Sequence, residues 1–168
     1  MKSICIHGKR NIDSIDSIGG EKKAIRSGME YVTDEHTSHV NQLAMINKLY
    51  MGYDFEYKTT LKKKKINSYK GQDIKKGIYD EKKLISFEDT IEKLVSSKLL
   101  CYYCSINVKI IYKNVREPCQ WTLDRKDNSE CHSNENTIIA CMKCNLDRRV
   151  TDIDKFIFTK RLKIKRVE

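Results

Sequence analysis

Two cysteine pairs constrain this chain more than any other feature. Cys101-x-x-Cys104 and Cys141-x-x-Cys144 lie far apart in sequence, with Cys141 37 positions after Cys104. Four thiolates that a fold must bring to one point suit tetrahedral zinc, whereas a single Cys-x-x-Cys would say little. A four-sulfur shell is closed, so a metal held there stabilises the fold and does no chemistry. The chain has seven cysteines, an odd number, and four of them are in the pairs. That pattern points to reduced thiols in an intracellular, reducing compartment and not to a secreted disulfide framework. The alternatives are a redox pair or an iron–sulfur cluster, and nothing like a thioredoxin pattern surrounds either pair. Cys5, Cys119 and Cys131 remain. Cys131 stands beside His132, but adjacent residues rarely face each other as nucleophile and base.

With 168 residues the chain has room for one domain, or for a small domain with an extension. The core of such a domain is modest, which makes a metal staple useful. The formal net charge is +10, and it is unevenly spread. Residues 1–60 carry no net charge, while 61–100 and 101–168 carry +5 each. A basic excess favours polyanions, with nucleic acid the first candidate. The competing explanation is codon bias, because lysine, isoleucine and asparagine are all plentiful. No signal peptide and no apolar run long enough to span a bilayer is visible, so no membrane partner is expected.

Residues 1–30 show no clean period, and Asp13–Gly20 reads as a loop or arm. A helix is expected from Thr33 or Asp34, with Val40, Leu43, Ala44, Leu49 and Tyr50 as its stripe and Gly52 as its stop. His36 and His39 near its start lack a third ligand and read as surface or capping residues. Lys62, Lys63, Lys64 and Lys65 open a basic segment that ends near Lys83, either a solvated face or a phosphate contact. Ser86 and Asp89 form a capping-box pattern, and Phe87, Ile91, Leu94, Val95 and Lys98 share one face of the helix that follows, which should end near Leu100. Period-two alternation at Val108, Ile110 and Tyr112, and again at Trp121 and Leu123, predicts two strands. Ile138–Arg149 reads as a strand turning into a helix, or as helix throughout. Asp152–Val167 is a further helix candidate.

Between the cysteine pairs stands Trp121-Thr122-Leu123-Asp124-Arg125-Lys126-Asp127-Asn128, then His132 and Asn136, and Asn145 follows the second pair. Here the chain resembles the HNH endonucleases, also called ββα-metal or His-Me finger nucleases. It looks closest to the HNH proteins of large DNA viruses and phages. The resemblance covers roughly Leu61–Arg149 and is most specific from Trp121 to Asn145. It implies an α+β fold: a zinc-stapled, treble-clef-like ββα-metal module at 86–150. A partly helical extension at 1–60, a basic linker at 61–85 and a C-terminal helix or tail at 151–168 would flank it.

The resemblance further implies that Asp124 and Asn145 hold a catalytic divalent ion, Mg²⁺ or Mn²⁺, and that Asn136 buttresses the loop and orients the general base. Most members have histidine directly after the aspartate, whereas this chain has Arg125. An arginine stays protonated and cannot act as a base, but it can clamp a phosphate. Three explanations stand side by side. His132 supplies the base from the neighbouring loop; metal-bound hydroxide suffices; or hydrolysis is lost. Arg148 and Arg149, on the expected helix after Asn145, are candidate phosphate contacts alongside Lys62–Lys65, and Asp127 is either a further ligand or a turn residue.

The expected function is therefore metal-dependent cleavage of DNA phosphodiester bonds. The alternative is a non-catalytic DNA-binding or virion/nucleoprotein component on a degenerate HNH fold. If the chain is viral, the host cytoplasm or nucleus, or the virion, is its expected location. A zinc module built only for protein contacts would need none of Asp124, Asn136 and Asn145.

Overall fold

The computed structural model describes residues 32–53, 65–114 and 116–162. Among them the chain is α+β: six helices and one two-stranded antiparallel sheet. The Asp13–Gly20 arm and Lys62, Lys63 and Lys64 lie outside the described residues, as does the end of the C-terminal helix candidate. No helix among the described residues is long and apolar enough to cross a membrane.

The first helical stretch is two helices. α1 (Asp34–Thr37) opens on a capping box between Thr33 and His36. Ser38 then turns extended, with ψ 141°, and its hydroxyl caps α2 (His39–Tyr50) by accepting from Asn41 N. The buried face of α2 is Gln42, Ile46 and Leu49, while Val40 and Tyr50 are exposed, so the expected stripe is rotated. Gln42 explains the difference. Its Oε1 accepts from Ile110 N (2.7 Å) and Ile111 N (3.3 Å), and its Nε2 donates to Ile111 O (3.0 Å).

The same three bonds account for the strand that does not form. Val108–Tyr112 makes only an isolated bridge, Lys109 with Gln120, and at Ile110 and Ile111 a buried glutamine takes the backbone groups that a ladder partner would take. Val108, Ile110 and Ile111 are all buried, which also breaks the alternation. Replacing Gln42 by alanine leaves these groups unpaired and should lower unfolding stability by about 2–3 kcal/mol, at roughly 1 kcal/mol per bond. Urea unfolding checks this, and an unchanged midpoint would show that Gln42 is dispensable.

α3 (Asn67–Lys76) lies within the segment read as a linker and ends on Gly77 at φ 69°. Tyr69 and Asp73, one turn apart, are its buried residues. α4 (Phe87–Ser96) carries the expected capping box of Ser86 and Asp89 and buries Phe87, Thr90, Ile91 and Leu94. It stops short of Leu100 because Lys98 and Leu99 take positive φ, 52° and 53°. β1 (Trp121–Arg125) pairs with β2 (Thr137–Cys141) in a register that sets Trp121 opposite Cys141 and Arg125 opposite Thr137. α5 (Met142–Arg148) follows β2 without a loop, capped by Cys141 itself. α6 (Ile153–Arg161) is capped by Asp152, and its Phe156 meets the Tyr103 ring edge-on at 4.9 Å. One apolar core runs through these elements, from Ile46 and Leu49 of α2 through Tyr69 and Leu94 to Trp121 and Ala140.

Candidate functional site

The cysteine pairs meet. The four sulfurs of Cys101, Cys104, Cys141 and Cys144 lie within 4.8 Å of one another, three of the residues buried and Cys104 half-buried. The Cys104 and Cys141 sulfurs are 3.9 Å apart. That is close to the edge of about 3.8 Å of a tetrahedron built on zinc–sulfur bonds of about 2.3 Å. The first pair sits in a tight turn: Ser105 N donates to Cys101 O (2.9 Å), Cys101 N donates to Ile106 O (2.9 Å), and Ser105 has φ 56°. The second pair ends β2 and opens α5, where Cys144 N donates to Cys141 Sγ at 3.3 Å. Cys141 N donates to Cys101 Sγ at the same distance. Hydrogen bonding, from the Cys141 side chain first, draws the Cys101 thiol down to about 4, while Cys141 is pushed up. Four cysteine sulfurs this close together are a donor set that fits zinc.

A separate cavity of about 600 Å³ opens among α3, β1, the loop after it and α5. Asp124, Arg125, His132, Asn145 and Arg149 all line it, so most of the expected site comes together. Lys65 and Lys76 line it too, giving four cations with Arg125 and Arg149.

Asp73 organises one wall, and sequence reasoning missed it. It is fully buried, and its Oδ1 receives His132 Nδ1 at 2.7 Å and Arg125 Nη1 at 3.3 Å. Its Oδ2 accepts from His132 N at 2.8 Å. Burial holds the His132 imidazole below its usual pKa, and the Arg125 charge adds to this, against the opposing pull of Asp73. The ring is therefore neutral at pH 7, with Nδ1–H donating to Asp73 and Nε2 left as a lone-pair site. Tyr69 packs its ring 4.7 Å from that of His132 and accepts from Leu123 N (2.8 Å), which fastens α3 to β1. The one signal available was the Tyr69–Asp73 spacing, a buried-type pair on a helix otherwise rich in lysine.

Arg125 is buried, and its Nη1 also donates to Glu130 O at 3.2 Å. Among the described residues its Nε and Nη2 have no partner, so it keeps donors for the cavity. Asn136 is a loop brace. Its Oδ1 accepts from Asp127 N (2.8 Å), and its Nδ2 donates to Asp127 O (2.9 Å) and Cys131 O (3.0 Å). It does not line the cavity. Asp127 is a turn residue, with Oδ1 accepting from Ser129 N and Oγ.

Arg148 is where the geometry departs from expectation. Its side chain is buried and not presented to a phosphate. Nε donates to Asp124 Oδ2 (2.7 Å) and Nη2 to Asp124 Oδ1 (2.9 Å), a bidentate pair in which Arg148 is 1 % and Asp124 4 % exposed. Tyr103 adds its hydroxyl to Oδ2 at 2.6 Å. Asn145, one turn before Arg148, gives Nδ2 to Thr122 Oγ1 (3.1 Å) and, at 3.4 Å, to Leu123 O.

A hard divalent ion needs several open oxygens. Here both carboxylate oxygens of Asp124 already accept from Arg148, so of the two expected ligands only the amide oxygen of Asn145 is left, beside four cations. This donor set does not fit the expected Mg²⁺ or Mn²⁺.

Arg149, by contrast, is exposed at the cavity, with φ 52° and ψ −110°. That conformation costs a side chain about 1–3 kcal/mol, and Asn128 Nδ2 helps hold it by donating to Arg149 O (3.0 Å). Lys65 is no solvated lysine. Its Nζ donates to Gln120 Oε1 (2.9 Å) and Trp121 O (3.0 Å) and lies 5.3 Å from the centre of the Trp121 ring. Burial draws its pKa down to about 8.

No family model, no curated protein and no solved structure matches the chain.

Proposed function

We propose that this cavity binds and hydrolyses a phosphodiester of DNA, as an HNH-type site in which His132 is the general base. The observation that carries the reading is the buried Asp73–His132 pair beside a cluster of cations in one cavity. A neutral imidazole whose Nδ1 is fixed by a carboxylate presents a basic Nε2 to a water in the cavity. His132 takes the proton of the attacking water as the oxygen–phosphorus bond forms. The bond from phosphorus to the leaving oxygen breaks, and that oxygen takes a proton from solvent. Arg125 and Arg149, with Lys65, offset the charge on the phosphate oxygens. The four-cysteine zinc group holds β1, β2 and α5 in register for this.

A second reading has its own support. With Asp124 closed by Arg148, the residue expected to hold a catalytic ion is occupied, which favours a module that binds DNA and does not cut it.

Supercoiled plasmid incubated with the zinc-loaded protein, with and without added Mg²⁺ or Mn²⁺, separates the two. Nicked or linear product that His132→Ala forms far more slowly is expected. Salt-sensitive binding with no product under any condition would leave the binding module.

A further inference from the structure

We infer that Arg148 occupies on Asp124 the place that a divalent ion would take, so that the cavity engages a phosphodiester by its own cations alone. This rests on the phosphodiester reading of the cavity but not on hydrolysis. The Arg148 guanidinium meets both carboxylate oxygens side-on, and it does not stop there. Nη1 donates to Thr151 O (2.9 Å), and Nη2 also donates to Arg125 O. Four of the five guanidinium N–H groups are thus used, and a fully directed planar fork of this kind has nowhere to swing. An ion that displaced it would strand a buried guanidinium and uncover two carbonyls, both uncompensated.

The surroundings oppose an ion as well. Among the described residues, Lys65, Lys76, Arg125 and Arg149 line the cavity, and its one carboxylate is already neutralised by Arg148. Like charges repel a divalent cation there and attract a polyanion. Asn145 adds one neutral oxygen, too few for Mg²⁺. The backbone link from Arg148 to Arg125 O has a further consequence. The residue that replaces the ion also fixes the strand end from which Arg125 reaches the cavity.

The test is Mn²⁺ titration of the zinc-loaded protein, read by the electron paramagnetic resonance of free Mn²⁺, beside fluorescence anisotropy of a labelled DNA duplex in buffer freed of divalent ions on a chelating resin. The wild type should take up no stoichiometric Mn²⁺ that depends on Asp124. It should also bind the duplex fully without Mg²⁺, and added Mg²⁺ should only weaken binding, as any salt does. Arg148→Gln, where it folds, should gain one Mn²⁺. The inference is overturned if the wild type binds one Mn²⁺ that Asp124→Asn loses, or if duplex binding requires Mg²⁺; both are read on the wild-type fold whether or not Arg148→Gln is stable. A protein that binds duplex without divalent ions but never cuts it would fail the hydrolytic reading and leave this one standing.

Discussion

Cys141→Ser is expected to leave the protein without zinc and with the β1–β2–α5 unit unfolded. Cys141 is fully buried, ends β2 opposite Trp121, and caps α5 through its sulfur. Serine is a good helix cap but a poor zinc ligand, so the substitution keeps the cap and removes the metal. Binding a structural zinc contributes about 10–16 kcal/mol at neutral pH, and in small metal domains that energy is folding energy. A domain of this size has a net stability of about 5–15 kcal/mol. Losing one of four ligands therefore removes an amount comparable to the whole. It also leaves three further thiols crowded within 4.8 Å of that position. Metal analysis should find one zinc per wild-type chain and none in the variant, with loss of near-ultraviolet circular dichroism around Trp121. A wild-type protein that is folded and free of zinc would sink this account. Because Asp124, Arg125, Asn136 and Asn145 all stand on or between the elements joined at the four cysteines, DNA binding should disappear along with the fold.

How far the sequence could be read depended on whether a group's partner was near in the chain. The cysteine group was legible because each pair is a local motif and a closed shell allows one arrangement. The Ser86–Asp89 capping box was legible for the same reason: donor and acceptor are three residues apart. That Asn136 braces its loop was implied by the resemblance, and its partners lie only five and nine positions away. What escaped was decided across long distances. Asp73 reaches His132 from 59 positions away, and only its one-turn spacing from Tyr69 sets it apart on an otherwise basic helix. Gln42 meets Ile110 and Ile111 across 68 and 69 positions, and in doing so it rotates α2 and replaces a strand. The roles of Arg148 and Arg149 looked interchangeable in sequence. The helix end separates them: Arg148 is the last residue of α5 and turns inward to Asp124, while Arg149 leaves the helix at positive φ and faces the cavity. Lys65 seemed one of four like lysines, yet Gln120 and Trp121 bury it.

Replacing His132 by alanine should lower the cleavage rate by about 10²–10⁴-fold, the usual contribution of a positioned general base, while duplex affinity stays near wild type. The pH profile follows from the direction of the His132 shift. Its pKa lies below the ordinary value of 6.5 because burial disfavours the cation. The base is thus already neutral at pH 7, and the rate should be flat through neutrality and fall only as pH drops below about 6.5. Stability follows the same sign. The unfolded histidine takes up a proton in that window and the folded one resists, so stability is full above about 6.5 and declines as the pH is lowered.

Asp73→Asn sharpens the test. An amide cannot accept from both the His132 backbone N–H and Nδ1–H while also neutralising Arg125, so the ring is free to carry its proton on Nε2 and the base is lost. Removing a buried carboxylate from Arg125 also costs about 3–5 kcal/mol, so the variant is read only at temperatures where circular dichroism shows it folded. A merely structural His132 would give the same loss of rate through a distorted cavity, and added imidazole distinguishes the cases. Imidazole should restore part of the rate to His132→Ala, which keeps Asp73 as its anchor, and none to the Asp73→Asn, His132→Ala double variant. Wild-type cleavage by His132→Ala, with a rate that climbs with pH above neutrality, would move the base from His132 to a hydroxide. Arg125→His would then be the variant to examine, since it places an imidazole at the strand end where the nuclease pattern expects one.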